Sequence, residues 1–507
     1  MTAALLPLLV ALPLLAAGAL VVVPGRTRIG TAVLLTALAL SAAGGVVLVA
    51  DQMSGEVIAH SVGLWPVGIA IPFAADMLSA LLLTVTAVLS LVCSIFAMYS
   101  GFADRTFFAP LVLVLTAGVN GALLTADLFN LFVFIEVMLL PSYALMVLSA
   151  VKGGATTSRV SGTRLYVTVN LLTSTVFLAG VAFVYGAAGT VNLAELAGAA
   201  RQSPSVAIAS AVCLFALSIK ASVFPVHGWL ARTYPAAAPA VTALFSGLHT
   251  KVAIYAIYRV YAVVFDGDER YLWVGVVAFS LTMIVGVLGA VGESITRSIL
   301  AFHMVSQIGY ILLGVALFGP LGLAAGIFYL IHHMIVKASL FLSTGAIEVR
   351  YGTGQLGRLK EIARREPLVA VAFFAAALSL AGLPPFSGFV AKLSLITAAF
   401  DAGQVTAAVV VIVVSLITLL SMLKIWSGTF WGAGPSDTAT DDGSGGGEGT
   451  VITRPTARIG IGLLAPSLVL AAATLALGLG AQGLLMLTDI AANQLIDTSS
   501  YVEAVTR

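Results

Sequence analysis

The sequence predicts an all-α polytopic membrane protein of about fourteen transmembrane helices, on three observations. Apolar runs of about 20 residues, long enough to cross a ~30 Å hydrocarbon core, recur from one end of the chain to the other. Of the 507 residues, 60% are A, V, I, L, M, F, W, Y or C and only 9% are charged, with a mean hydropathy of +1.09. Soluble domains carry about 25% charged residues, so this much apolar surface needs lipid. The third observation is that basic residues alternate between successive connecting loops, as the positive-inside rule requires of a correctly counted set of spans.

The runs begin near Ala3, Thr31, Phe73, Phe107, Leu128, Thr163 and Val206, and then near Val241, Leu272, Ser298, Leu321, Leu368, Val405 and Arg458. Pro, Gly or charge punctuates each connection. The first run, MTAALLPLLVALPLLAAGALVVVPGR, has its basic residues only on its far side, the pattern of a retained helix and not of a cleaved signal peptide. Loops after odd-numbered spans hold fifteen of the 24 Lys+Arg, from Arg26 and Arg28 through Arg159, Arg164, Arg232 and Arg297 to Arg454 and Arg458. The opposite side holds three, Arg201, Arg270 and Arg507. This asymmetry makes the first set cytoplasmic in a multi-pass cell-membrane protein, with both termini extracytoplasmic.

Composition excludes several classes. A net charge of +2 leaves no basic excess for nucleic acid. Cys93 and Cys213 both sit in apolar runs, so neither a disulfide framework nor a cysteine zinc site is available. No CxxCH, HExxH, GxSxG or Walker A pattern occurs, and no bound cofactor or metal is implied. Residues 352–357, GTGQLG, formally match GxGxxG but lie in a basic interhelix loop with no preceding strand, so they are not read as a dinucleotide site. The stretch 431–450, crowded with Gly, Ser, Thr and Asp, is expected to be a disordered cytoplasmic loop. The tail after Leu487 is polar, is expected outside the membrane, and is assigned no role.

Six basic residues remain inside spans: Lys220, Lys251, Arg259, Lys337, Lys392 and Lys424. Arg259 and Lys424 stand near span ends, where snorkelling to the interface explains them. Lys220, Lys251, Lys337 and Lys392, with Glu136, stand near span centres, where each charge costs about 2.5–3.5 kcal/mol. The usual offset is mutual pairing and water in the bundle interior, the arrangement that passes a proton or cation. Glu136, in FNLFVFIEVMLLPSYAL, needs a cation nearby, and Lys220 is the candidate partner. Lysine suits a relay because burial favours its neutral form, which arginine does not reach. His249 with Lys251 in GLHTKVA, and His332, His333 and Lys337 in IHHMIVKASLFL, extend the set, with His333 and Lys337 on one helical face. His303 joins them, whereas His227, beside Pro225, reads as a histidine hydrogen-bonded to backbone.

Two spans are expected to be discontinuous. Pro225 removes a backbone donor five residues after Lys220 and breaks span seven, and LAGLPPFSGF, with Pro384 and Pro385, breaks span twelve just before Lys392. Non-helical backbone at membrane depth persists only where protein buries it or water lines it, so both breaks mark interior cavities. Breaks five spans apart imply inverted repeats of five helices, spans 4–8 and 9–13, which necessarily have opposite topology. The expected organisation is a three-helix segment at 1–106, a first repeat at 107–265, a second at 266–430, a loop at 431–457, and a terminal helix and tail at 458–507.

FNLFVFIEVMLLPSYAL, SIKASVFPVHGWLARTYPAAAPAVTALFSGLHTKVAIYAIYR, SILAFHMVSQIGYILLG, HHMIVKASLFLSTGAIE and LSLAGLPPFSGFVAKL together resemble the antiporter-like membrane subunits shared by respiratory complex I and the multisubunit Mrp cation/proton antiporters. Length and the run RLYVTVNLLTSTVFLAGVAFVYGAAGTVNLAEL resemble most the D-type branch of the Mrp set. The resemblance implies a central hydrophilic axis. On it Glu136 and Lys220 form the ion pair of a first half-channel, Lys251 connects, Lys337 is the second-half counterpart and Lys392 ends the relay. It also implies work inside a hetero-oligomer of other antiporter subunits, exchanging H+ for Na+, K+ or Ca2+. The alternative is a proton-pumping subunit of complex I or of a membrane-bound hydrogenase.

Overall fold

The computed structural model describes residues 3–22, 27–65, 69–151, 157–431 and 458–507. Apart from Trp431, the stretch expected to be disordered lies outside them. The chain opens with α1 (Leu8–Val22), α2 (Thr27–Asp51), a two-stranded antiparallel hairpin of β1 (Ile58–Ser61) and β2 (Pro72–Ala75), and α3 (Met77–Tyr99). The hairpin register pairs Ile58 with Ala75 and Ser61 with Pro72. Next come α4 (Phe108–Leu124), α5 (Leu128–Val151), α6 (Thr157–Ala188), the short α7 (Ala199–Gln202), α8 (Pro204–Ala221), α9 (Gly228–Thr233) and α10 (Pro239–Val264). The second half has α11 (Leu272–Gly292), α12 (Thr296–Ala316), α13 (Pro320–Tyr351), α14 (Ile362–Arg365), α15 (Pro367–Ala381), α16 (Ser387–Asp401) and α17 (Val405–Ile425). The chain closes on α18 (Ile461–Leu479), α19 (Ala481–Ile496) and α20 (Ser499–Thr506).

Among the described residues, 12 helices are long and apolar enough to cross a membrane, so the protein is a multi-pass membrane protein. Two further apolar helices, Phe108–Leu124 and Pro367–Ala381, are shorter. Each of the expected span starts falls on or within a few residues of a helix. Burial runs opposite to apolarity. Helix α10 is the least apolar of the spanning helices and the most completely enclosed, whereas Val405–Phe430 is the most apolar and is largely exposed. Lipid accepts an all-apolar helix surface, so the helices with the most polar atoms are the ones drawn inside.

Close packing relies on small residues. On α11 a Cβ at Gly286 would stand 2.3 Å from the Ser306 nitrogen of α12, and one at Gly309 would stand 2.6 Å from the Phe279 carbonyl oxygen. The two helices therefore meet backbone to backbone, as small-residue contacts allow in a bilayer. Basic residues collect at one face: an 890 Å³ polar cavity there is lined by Arg159 and Arg164 from the first turns of α6, Arg232 of α9 and Arg297 at the start of α12. The GTGQLG stretch is interhelix loop, tied down by Thr296 N–H to the Gly354 carbonyl and Gly357 N–H to the Gly428 carbonyl.

Candidate functional site

Both expected breaks are present. Helix α8 stops at Ala221, Ser222 turns the chain through a left-handed conformation (φ 67°), and helix resumes at Gly228. Trp229 Nε1 donates to the Ile219 carbonyl at 2.9 Å, and Phe224 N–H donates to Thr282 Oγ1 at 3.0 Å, so side chains serve the backbone that the break frees. Lys220 occupies the last turn of α8, where the helix dipole favours a cation. The second break falls between Ala381 and Ser387, and there Lys392 reaches back from α16 to donate to the Ala381 carbonyl at 2.8 Å. A lysine thus attends the carbonyl end of each broken helix. Gly382 makes the second contact possible: its φ is 89°, and a Cβ there would meet Lys392 Cδ at 2.6 Å. Gly382→Ala is expected to cost about 1–2 kcal/mol in backbone strain and to displace Lys392, seen as a lower thermal midpoint of the purified complex and weaker flux.

In the first half, Lys220 is buried and its Nζ donates to Asn170 Oδ1 at 3.3 Å. Glu136 is near enough for its charge to act on Lys220, yet the two are not within the 4.0 Å of a direct ion pair, and Glu136 Oε1 is buried with no hydrogen-bond partner. The expected pair is therefore a coupled one across a gap, with Asn170 holding the lysine. His249 is clamped, its Nε2 hydrogen-bonded with Ser142 Oγ at 2.9 Å and its Nδ1 with Tyr166 OH at 2.6 Å, while its ring stacks on Phe245.

Lys251, His333 and Lys337 form the centre. Lys251 Nζ donates to Thr250 Oγ1 at 3.1 Å, and Lys337 Nζ donates to the Leu300 carbonyl at 2.9 Å. His333 lies within electrostatic reach of both lysines, and neither ring nitrogen has a hydrogen-bond partner. In the second half, His332 Nδ1 is hydrogen-bonded with Ser387 Oγ and His303 Nε2 with Ser421 Oγ, each at 2.8 Å. His303 feels both Lys337 and Lys392, and His332 feels Lys392. With His249 within electrostatic range of Lys220 and Lys251, and Lys337 within range of Lys251, buried titratable groups succeed one another from Glu136 to Lys392, bridged by polar side chains and gaps and not by direct hydrogen bonds. Such a line of buried titratable groups can hand a proton along in steps, each charge altering the next site.

Lys424 behaves as expected of a residue at a span end, donating to the Val291 and Glu293 carbonyls at 2.7 and 2.6 Å. Arg259 corrects the sequence reading. It does not snorkel: it is 2% exposed and donates through Nη2 to Asp76 Oδ2 at 2.6 Å. The distance along the chain between Asp76 and Arg259 hid the pair. The tail is also ordered. Gln494 Oε1 accepts from Met77 N–H at 2.8 Å, and Arg259 lies 4.7 Å from the ring of Tyr501. Asn170, Tyr166, Ser142 and Ser387 also escaped sequence reasoning. Only Asn170, a lone amide in an apolar run, carried a signal.

Residues 125–418 match the family model described as NADH:quinone oxidoreductase/Mrp antiporter, TM. The D-type subunit of the Na(+)/H(+) antiporter of Alkalihalophilus pseudofirmus is 36% identical over 465 residues, covering 90% of each chain. A chain in the structure of the Mrp complex from Dietzia sp. DQ12-45-1b is 59% identical with a TM-score of 0.94 over 99% of both chains. A chain of an archaeal membrane-bound sulfane sulfur reductase is 26% identical with a TM-score of 0.84, again over 99% of both. Family match, relatives and shared architecture agree, and the chain belongs to the NADH:quinone oxidoreductase/Mrp antiporter membrane-subunit family, within its D-type antiporter group.

Proposed function

We propose that this chain is the D-type member of a multisubunit Na+/H+ antiporter and conducts protons along the line from Glu136 through Lys220, His249, Lys251, His333 and Lys337 to His303, His332 and Lys392. The succession of buried lysines and histidines inside the bundle, each within electrostatic range of the next, carries the reading. The breaks at Pro225 and Pro384–Pro385 put a lysine at each half-helix end, where a proton can be taken up or given away. The chain spans the membrane fourteen times with both termini extracytoplasmic, and residues 107–265 and 266–430 are its inverted repeats. It acts as a transporter and not as an enzyme, and its partners are the other antiporter subunits. Na+ is the cation exchanged, with K+ and Ca2+ as the alternatives that a cation series separates.

The test is cation-dependent proton flux in everted vesicles carrying the whole operon. Glu136→Gln, nearly isosteric but unable to ionise, is expected to lower flux by about a hundredfold with the complex still assembled. Undiminished flux would move conduction to another subunit. The likeness to the sulfane sulfur reductase chain favours a second reading, a proton-pumping subunit of a respiratory complex. Co-purification of iron–sulfur subunits, with flux driven by electron transfer and indifferent to Na+, would establish it instead.

A further inference from the structure

Lys251, Tyr255 and Arg259 stand four residues apart on α10 and share one face. That face runs from the middle of the site to the end of the bundle that bears the β1–β2 hairpin and α20, the end opposite the basic loops. Tyr255 OH donates to the Leu123 carbonyl at 2.8 Å and lies 3.1 Å from Ser79 Oγ, to which it can turn, and Ser79 Oγ donates to Asp76 Oδ1 at 2.9 Å. Asp76 Oδ2 accepts from Arg259 Nη2 at 2.6 Å. The polar groups therefore form a string, Tyr255 to Ser79 to Asp76 to Arg259, and it ends beneath Tyr501, which is itself buried.

Arg259 anchors a buried ion pair and also keeps donors to spare. It is 2% exposed and lies over the rings of Tyr255 and Tyr501, and its Nη2 donates to Asp76 and, at 3.4 Å, to Tyr255 OH, yet its Nε and Nη1 have no hydrogen-bond partner. A buried guanidinium held solely for stability would have its other N–H groups satisfied, since each orphan costs free energy in a low dielectric. Half-satisfied, it is poised to change partners.

We propose that this string is a proton branch that leaves the central line at Lys251, with Asp76–Arg259 as its outer gate and Tyr501 as the gate's lid. The inference rests on the proton-conducting reading of the central line. A proton arriving by way of Tyr255 and Ser79 adds to an Asp76 carboxylate oxygen. Asp76 becomes neutral and the ion pair is lost. Arg259 keeps its charge and turns its free N–H groups toward Tyr501 and the outer face. Release of that proton from Asp76 to the outside restores the carboxylate and the pair, so one proton enters and one leaves. The C-terminal segment closes this end because α20 packs on the hairpin and Gln494 accepts from Met77 N–H, next to Asp76.

The experiment uses the whole complex in everted vesicles and reads two quantities, antiport with added cation and proton leak without it. Asp76→Asn keeps an acceptor for the Ser79 N–H, so α3 retains its cap. It is expected to lower antiport by about tenfold in assembled complex, and Tyr501→Ala to raise the cation-independent leak by about tenfold. An assembled Asp76→Asn complex with wild-type antiport overturns the proposal, and so does an assembled Tyr501→Ala complex with wild-type leak. If Asp76→Asn does not assemble, the Tyr501→Ala leak decides alone. Glu136→Gln measured alongside separates the two readings: flux kept there sinks the central line, whereas flux lost there but kept in Asp76→Asn sinks only the branch.

Discussion

Replacing Lys220 with alanine is expected to lower cation-driven proton flux by about a hundredfold while leaving the complex assembled. Lys220 is 4% exposed, sits at the carbonyl end of a half-helix, and lies within electrostatic range of Glu136. Alanine removes the buried positive charge on which Glu136 acts and leaves a gap in the line of protonatable groups. Lys220→Arg sharpens the result. Arginine keeps the positive charge and can still donate to Asn170, but it does not give up its proton. If the lysine itself carries the proton, the arginine variant is as inactive as the alanine one. If it only places charge beside Glu136, arginine restores much of the flux. Flux per assembled complex in everted vesicles, with assembly checked by native electrophoresis, reads both outcomes, and full activity in Lys220→Ala would remove the residue from the path.

Arg259→Ala is expected to destabilise the protein by about 3–5 kcal/mol, because it strands the Asp76 carboxylate, 1% exposed, without its counter-charge. A surface ion pair is worth about 1 kcal/mol or less, so the measured loss distinguishes the buried pair from a snorkelling arginine. The thermal midpoint of the purified complex and the yield of assembled protein report it. The double variant Asp76→Ala with Arg259→Ala should be less damaging than Arg259→Ala alone, since it leaves no unpaired buried charge. Equal or greater damage in the double variant would mean that the two side chains contribute through packing and not through their charges.

The helices themselves were legible because hydropathy is a local property. Each expected start, from Ala3 to Arg458, lands on or beside a helix, since a run of about 20 apolar residues satisfies its backbone in lipid whatever its neighbours are. The breaks were legible for the same reason: Pro225 and Pro384–Pro385 deny hydrogen bonds within their own spans. The buried charges Glu136, Lys220, Lys251, Lys337 and Lys392 were visible as expensive exceptions in apolar runs.

Partners were not legible. Which atom a buried side chain meets depends on how helices distant in sequence are rotated and staggered, and nothing local encodes that. Hence Lys392 was expected beside a break, but not on the Ala381 carbonyl, and Glu136 was expected against Lys220, where Asn170 stands instead. Arg259 looked like a residue reaching for the interface until α3 brought Asp76 against it, and the tail looked idle until Tyr501 closed over that pair. The sequence alone determined that this is a many-spanning membrane bundle with costly charges near the middle of its spans. Only tertiary packing decided what each of those charges touches, because desolvation is set by the residue and its span, whereas pairing is set by the opposing helix.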